Sequence, residues 1–151
     1  MLNRILPRQF DNDYRGHRLA LWLFGAVILV KLGISLATIF NGHEAASSAD
    51  GIPLDTFTPA GAQVVVSLFA IWGLAQLVIC LFCILALARY RAMIPLLFAL
   101  LLLEYLGKKV ILYFLPIVKT GAPPGSVINL VLLGVMIIGL ALSLWARAKS
   151  E

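Results

Sequence analysis

Residues 61–88 read GAQVVVSLFAIWGLAQLVICLFCILALA, an unbroken stretch without a Lys, Arg, Asp or Glu. As a helix rising about 1.5 Å per residue it reaches about 42 Å, more than the ~30 Å hydrocarbon core of a bilayer. Both ends carry boundary signals. Thr58 followed by Pro59 has the chemistry of an N-cap with proline at the first helical position. Arg89-Tyr90-Arg91 stops the run with charge. The stretch predicts a membrane-spanning helix.

Three further runs read the same way. Leu19 to Phe40 is interrupted only by Lys31 and is about 33 Å long as a helix. Ala92 to Leu115 carries Pro95 in its first turn, where proline is tolerated, and meets Pro116 at its end. The last run, Ser126 to Trp145, follows the turn residues Gly121, Pro123, Pro124 and Gly125. Short connections before and after the third run favour antiparallel neighbours. The expected fold is all-α: one integral membrane domain over residues 1–151. Its spans, at about 19–40, 61–88, 92–115 and 126–145, would form a four-helix up-down-up-down bundle. A basic leader before an apolar stretch superficially fits a cleaved signal peptide. The first run exceeds the about 7–15 apolar residues of such a region, and Lys31 interrupts it, so its retention is expected.

Composition agrees. The 151 residues are 62% hydrophobic and 13% charged, against about 45–50% and about 25% in soluble domains. The net charge of +5 does not point to nucleic acid, because the basic residues flank apolar runs instead of forming a stripe interleaved with aromatics. They report topology. Arg4, Arg8, Arg15, Arg18, Arg89, Arg91, Arg147 and Lys149 fall on one side of the spans, and Lys119 alone on the other. By the positive-inside rule both termini are cytoplasmic, a pattern that suits a bacterial inner membrane. Trp22, Tyr90 and Trp145 mark that boundary, and Tyr113 and Phe114 the opposite one. Residues 41–60 make an acidic outer loop with Glu44, Asp50 and Asp55. The pairs Gly33/Ala37 and Gly139/Ser143 are expected to allow close helix approach. The similar openings Pro59-Ala60-Gly61 and Pro123-Pro124-Gly125 are read as convergent helix-start chemistry.

Ionisable residues within the spans carry the functional signal, because each costs several kcal/mol near the bilayer centre unless paired, hydrated or snorkelling. Measured from the cytoplasmic ends of their helices, Lys31, Gln76 and Glu104 each lie about 18 Å deep. Lys108 lies about 24 Å and Asn129 about 25 Å deep. Glu104 and Lys108 are one turn apart in the favourable order, whereas Lys109 is rotated by about 100° and is expected to snorkel outward. The expectation is a buried polar cluster of Lys31, Gln76, Glu104, Lys108 and Asn129, with Tyr105 and Tyr113 as contributors. One acid does not neutralise two or three lysines. The surplus must be met by deprotonation, water, a ligand or a partner's carboxylate. The plainer alternative is an intrahelical Glu104–Lys108 pair, with Lys31 bonded to backbone carbonyls.

Other motifs carry less. Cys80-Leu81-Phe82-Cys83 is a C-x-x-C, but in an apolar helix on the reducing side such thiols are inert. His17 and His43 fall on opposite sides of the membrane and make no zinc site. No phosphate loop, nucleophile elbow or zincin helix is present in the sequence. No catalytic residue, metal or cofactor is assigned. The leading expectation is a non-catalytic subunit or accessory component of a larger membrane complex. The alternative is a small-molecule or lipid binding or transport module built on the midplane Lys/Glu cluster. An intramembrane lipid or quinone enzyme, with Glu104 as acid or base, comes third. Expected partners are the bilayer, a membrane protein or second copy, and an anionic lipid or small molecule; nucleic acid is not among them.

Overall fold

The computed structural model describes residues 12–119, 121 and 123–145. Arg4, Arg8, Arg147 and Lys149, four of the eight basic residues counted on one side of the spans, lie outside the described residues. The described chain is helical, without a strand. Its four long helices are α1 (Arg18–Phe40), α2 (Pro59–Arg89), α3 (Ile94–Phe114) and α4 (Pro124–Leu144). Three of them, α1, α2 and α4, are long and apolar enough to cross a membrane. Helix α3 matches α4 at 21 residues. It differs in charge, because Glu104, Lys108 and Lys109 all fall within it.

Local chemistry sets the helix ends. The His17 side chain accepts the Leu19 N–H through Nδ1 at 3.2 Å, while the His17 N–H donates to the Leu142 carbonyl at 3.1 Å. One residue therefore caps α1 and ties it to the end of α4. Thr58 Oγ1 accepts the Gly61 N–H at 3.2 Å, with Pro59 opening α2 as its sequence predicts. Helix α3 begins at Ile94, later than the expected 92. Arg91–Met93 instead forms a 3-10 turn closed by the Met93 N–H on the Tyr90 carbonyl.

The segment between α1 and α2 is more ordered than a solvated loop. A helical turn, Gly42–Glu44, runs into a π-helical turn, Ala45–Ala49, and a 3-10 turn, Leu54–Thr56, follows. Gly51 reverses the chain at φ 73°, a conformation glycine adopts without steric cost. Ala46, Ile52 and Leu54 are buried against Val65, Val66 and Phe69. This small second core seats the acidic segment on the start of α2.

The main core pairs beginnings of helices with ends. Phe24 meets Phe98 edge-on at 5.0 Å, and Ile28, Cys80, Cys83, Ile94, Leu101 and Met136 close around them. Buried α2 positions, Gly73, Gln76, Cys80, Cys83 and Ala86, recur every three or four residues and form one inward stripe. Gly73 lies against the Ser35 carbonyl, and a Cβ on Gly139 would overlap the Phe98 ring. Of the two small-residue pairs, Gly139 and Ser143 are buried between helices, whereas Gly33 and Ala37 are exposed. A Cβ on Gly33 would meet nothing within 4 Å.

Candidate functional site

Glu104 is the hub of a polar cluster that three helices assemble. Lys31 Nζ, from α1, donates to Glu104 Oε2 at 3.1 Å. Lys108 Nζ, one turn along α3, lies 2.5 Å from Oε1. Gln76 Nε2, from α2, donates to the same Oε1. The side chains of Lys31, Glu104 and Lys108 are 16%, 23% and 38% exposed. A carboxylate only accepts hydrogen bonds, so the Gln76 amide nitrogen must face it. The Gln76 carbonyl is thereby turned away, and Oε1 is buried without a hydrogen-bond partner among the described residues.

Beside the cluster is a cleft of about 50 Å³, lined by Lys31, Ser35, Thr38, Gln76, Lys108 and Asn129 among others. Ser35 and Thr38 donate to the Lys31 and Ile34 carbonyls of their own helix, each at 2.7 Å, and keep lone pairs free. Lys108 Nζ sits 4.3 Å from the Trp72 ring centroid, a cation–π contact that steers it inward. Lys109 takes the opposite course. It is exposed, with Nζ 5.7 Å from the Tyr105 ring centroid.

The structure thus brings Lys31, Gln76, Glu104 and Lys108 into direct contact. Asn129 lines the same cleft without a hydrogen bond to any of the four. The expected contributions of Tyr105 and Tyr113 are not found. Tyr105 packs on the main core, and Tyr113, 82% exposed, stacks edge-on with Phe114. Sequence reasoning passed over Ser35, Thr38 and Trp72. Their signal is spacing: Ser35 and Thr38 follow Lys31 at one and two turns, and Trp72 precedes Gln76 by one.

Cys80 and Cys83 are free thiols inside the core, 0% and 1% exposed. Among the described residues no three His, Cys, Asp or Glu side chains are grouped to hold a metal ion. Two groups outside the spans are electrostatically unusual. Burial pushes the Asp50 carboxyl above its ordinary range, partly opposed by Lys119 and Lys108. Burial also pushes the Tyr14 phenol up to about 12, and its hydroxyl is buried without a hydrogen-bond partner among the described residues.

Comparison with known proteins finds no matching family model, and neither a curated protein nor a solved structure matches the chain significantly.

Proposed function

We propose that the chain is a non-catalytic integral membrane protein, a four-helix up-down-up-down bundle with cytoplasmic termini in a bacterial inner membrane. Its midplane cleft binds a small anionic ligand. The observation that carries this reading is the shared carboxylate: Lys31 and Lys108 both converge on Glu104 beside an open cleft. Two lysines against one acid leave a positive charge where lipid offers no compensation. The apolar exteriors of α1, α2 and α4 support insertion. Leu29, Val64, Ile71, Val78 and Ile138 are all more than half exposed, a surface suited to acyl chains and not to water. Helix α3 joins the bundle because its deepest charge, Glu104, faces the other helices.

This reading is tested by unfolding the protein in lipid nanodiscs with and without small oxyanions. A ligand at about a hundred times its Kd stabilises by about 2.7 kcal/mol. Stabilisation is expected from oxyanions, and its loss in Lys31→Met and Lys108→Gln. Stabilisation that persists in both variants places the anion elsewhere and contradicts the reading.

A second reading, a component of a larger membrane assembly, is supported by what points outward. Gly33, Ala37 and Lys109 are exposed on the helix exteriors. An outward lysine accepts a partner's carboxylate, and the small pair leaves room for a close helix. Both readings put the chain in contact with a negative group from outside itself.

A further inference from the structure

Residues 109–119 read KVILYFLPIVK: two lysines bracket an uncharged stretch, and no acid stands among them. They form the end of α3 and the chain that leaves it. Every one of them is exposed. Residues 109–114 are still helical, and consecutive helical positions over more than one turn go round the whole circumference. This end of α3 is therefore bare on all sides, unlike its first half, where Ile94, Leu97, Phe98 and Leu101 are buried. A docked helix would need one face. A surface that is apolar all round suits acyl chains, which wrap it.

The charges at this end are unmet. The ion pairs of the described residues are Arg15–Asp13, Lys31–Glu104 and Lys108–Glu104, so neither Lys109 nor Lys119 has one among them. Lys109 Nζ lies 5.7 Å from the Tyr105 ring centroid, a contact that attracts the ammonium without cancelling its charge. Lys119 acts on Asp50, but only beyond ion-pair distance. Glu104 and Lys108 pair inside the bundle. Lys109 is thus the charge of α3 that no carboxylate of the described residues answers.

We propose that this end of α3 docks on anionic phospholipid headgroups, with Lys109 and Lys119 meeting the phosphates and Val110, Ile111 and Phe114 lying among the acyl chains. The proposal rests on the membrane-spanning reading above and is independent of the cleft. Lys109 lies five residues before the helix end at Phe114, about 7.5 Å along the axis. A lysine stem covers most of that distance, which brings the ammonium to headgroup level. Tyr113, one turn after Lys109 on the same face and 82% exposed, adds an aromatic ring suited to that level. Charge balance selects the lipid. In phosphatidylcholine the choline already cancels the phosphate, whereas phosphatidylglycerol leaves a net negative charge for the lysines.

The experiment places a bimane fluorophore on Val118→Cys of the full chain, since Cys80 and Cys83 are buried and take up little label. The chain sits in phosphatidylcholine nanodiscs doped, at equal mole fraction, with phosphatidylglycerol or phosphatidylcholine carrying a doxyl quencher near the glycerol end of the acyl chain. Val64→Cys, 58% exposed near the start of α2, is the reference, because residues 41–88 hold no Lys or Arg. At Val118 the phosphatidylglycerol quencher is expected to act with at least about threefold higher apparent affinity. At Val64 the two quenchers are expected to act alike. Combining Lys109→Gln with Lys119→Gln is expected to remove the preference at Val118 while leaving quenching by phosphatidylcholine unchanged, which also reports that the variant is folded. Equal quenching by both lipids at Val118 overturns the proposal and leaves insertion standing. A preference that survives the double variant, or appears equally at Val64, overturns it as well. Quenching at Val64 with none at Val118 overturns it by showing that something other than lipid covers the end of α3. No quenching at either position overturns the membrane-spanning reading along with it.

Discussion

Glu104 carries more consequence than any other single side chain, because three donors from three helices depend on it. Removing one member of a buried ion pair costs about 3–5 kcal/mol. Partial solvent access here reduces that figure, so Glu104→Gln is expected to destabilise by about 1–3 kcal/mol in detergent unfolding. Lys109→Gln, acting on an exposed lysine, is expected to stay within about 0.5 kcal/mol of wild type. Comparable effects of the two would mean that Glu104 does not organise the cluster. The depth argument from the sequence put Lys31, Gln76 and Glu104 at one level and Lys108 one turn further out, because helical rise converts directly into depth, and these four side chains are in contact. It did not find Trp72 or the role of Ser35, since which face of a helix turns inward is set by packing. Tyr14 escaped it entirely, as an ordinary residue before the first span. Its buried hydroxyl has no partner among the described residues, so Tyr14→Phe is expected to stabilise by up to about 1 kcal/mol. A loss of stability on this change would reveal a hidden hydrogen bond.

At the scale of elements, two glycines on different helices make a clean contrast. Gly139 faces the Phe98 ring, whereas Gly33 faces open space. Gly139→Leu is expected to force α3 and α4 apart and to cost at least about 1–3 kcal/mol, the usual cost of overpacking. Gly33→Leu is expected to leave the isolated chain unchanged. If Gly33→Leu instead breaks up an assembly extracted from membranes, that outward face is an interface. Sequence alone did not separate the two pairs, since both have the same small-residue spacing and only the partner helix tells them apart. The segment between α1 and α2 shows the converse limit. Its Ala, Ser and Asp content reads as a loop, yet Ala46, Ile52 and Leu54 dock on α2. Within it, Asp50 has its carboxyl pushed up by burial. A raised folded-state value means that the folded chain holds its proton more tightly than the unfolded chain. That contribution to stability is present below the unfolded pKa and is lost as pH rises through the folded one. Asp50→Asn is therefore expected to flatten the acid-range pH dependence of the unfolding midpoint and to raise it at neutral pH. An unchanged pH profile would mean that Asp50 titrates alike in both states.

For the whole molecule, topology and ligand binding are separate questions. Four of the eight basic residues counted on one side lie outside the described chain, so orientation rests on charge counts in the sequence. Single-cysteine labelling resolves it, because Cys80 and Cys83 are buried and contribute little background. With a membrane-impermeant maleimide on intact cells, Ser48→Cys is expected to react and Arg91→Cys to react only after permeabilisation. The reverse pattern would invert the bundle. The all-helical class and three helices long and apolar enough to cross a membrane were legible because apolar length is a property of sequence. The site's vacant acceptor was not, because it arises from one amide being held by a carboxylate on another helix. The most direct measurement of the central claim is native mass spectrometry on protein extracted gently from its own membrane. The account predicts a monomer or homo-oligomer that retains a small anionic mass, lost in Lys108→Gln. A chain that flies only with a second polypeptide at fixed stoichiometry, and without any small mass, would contradict it.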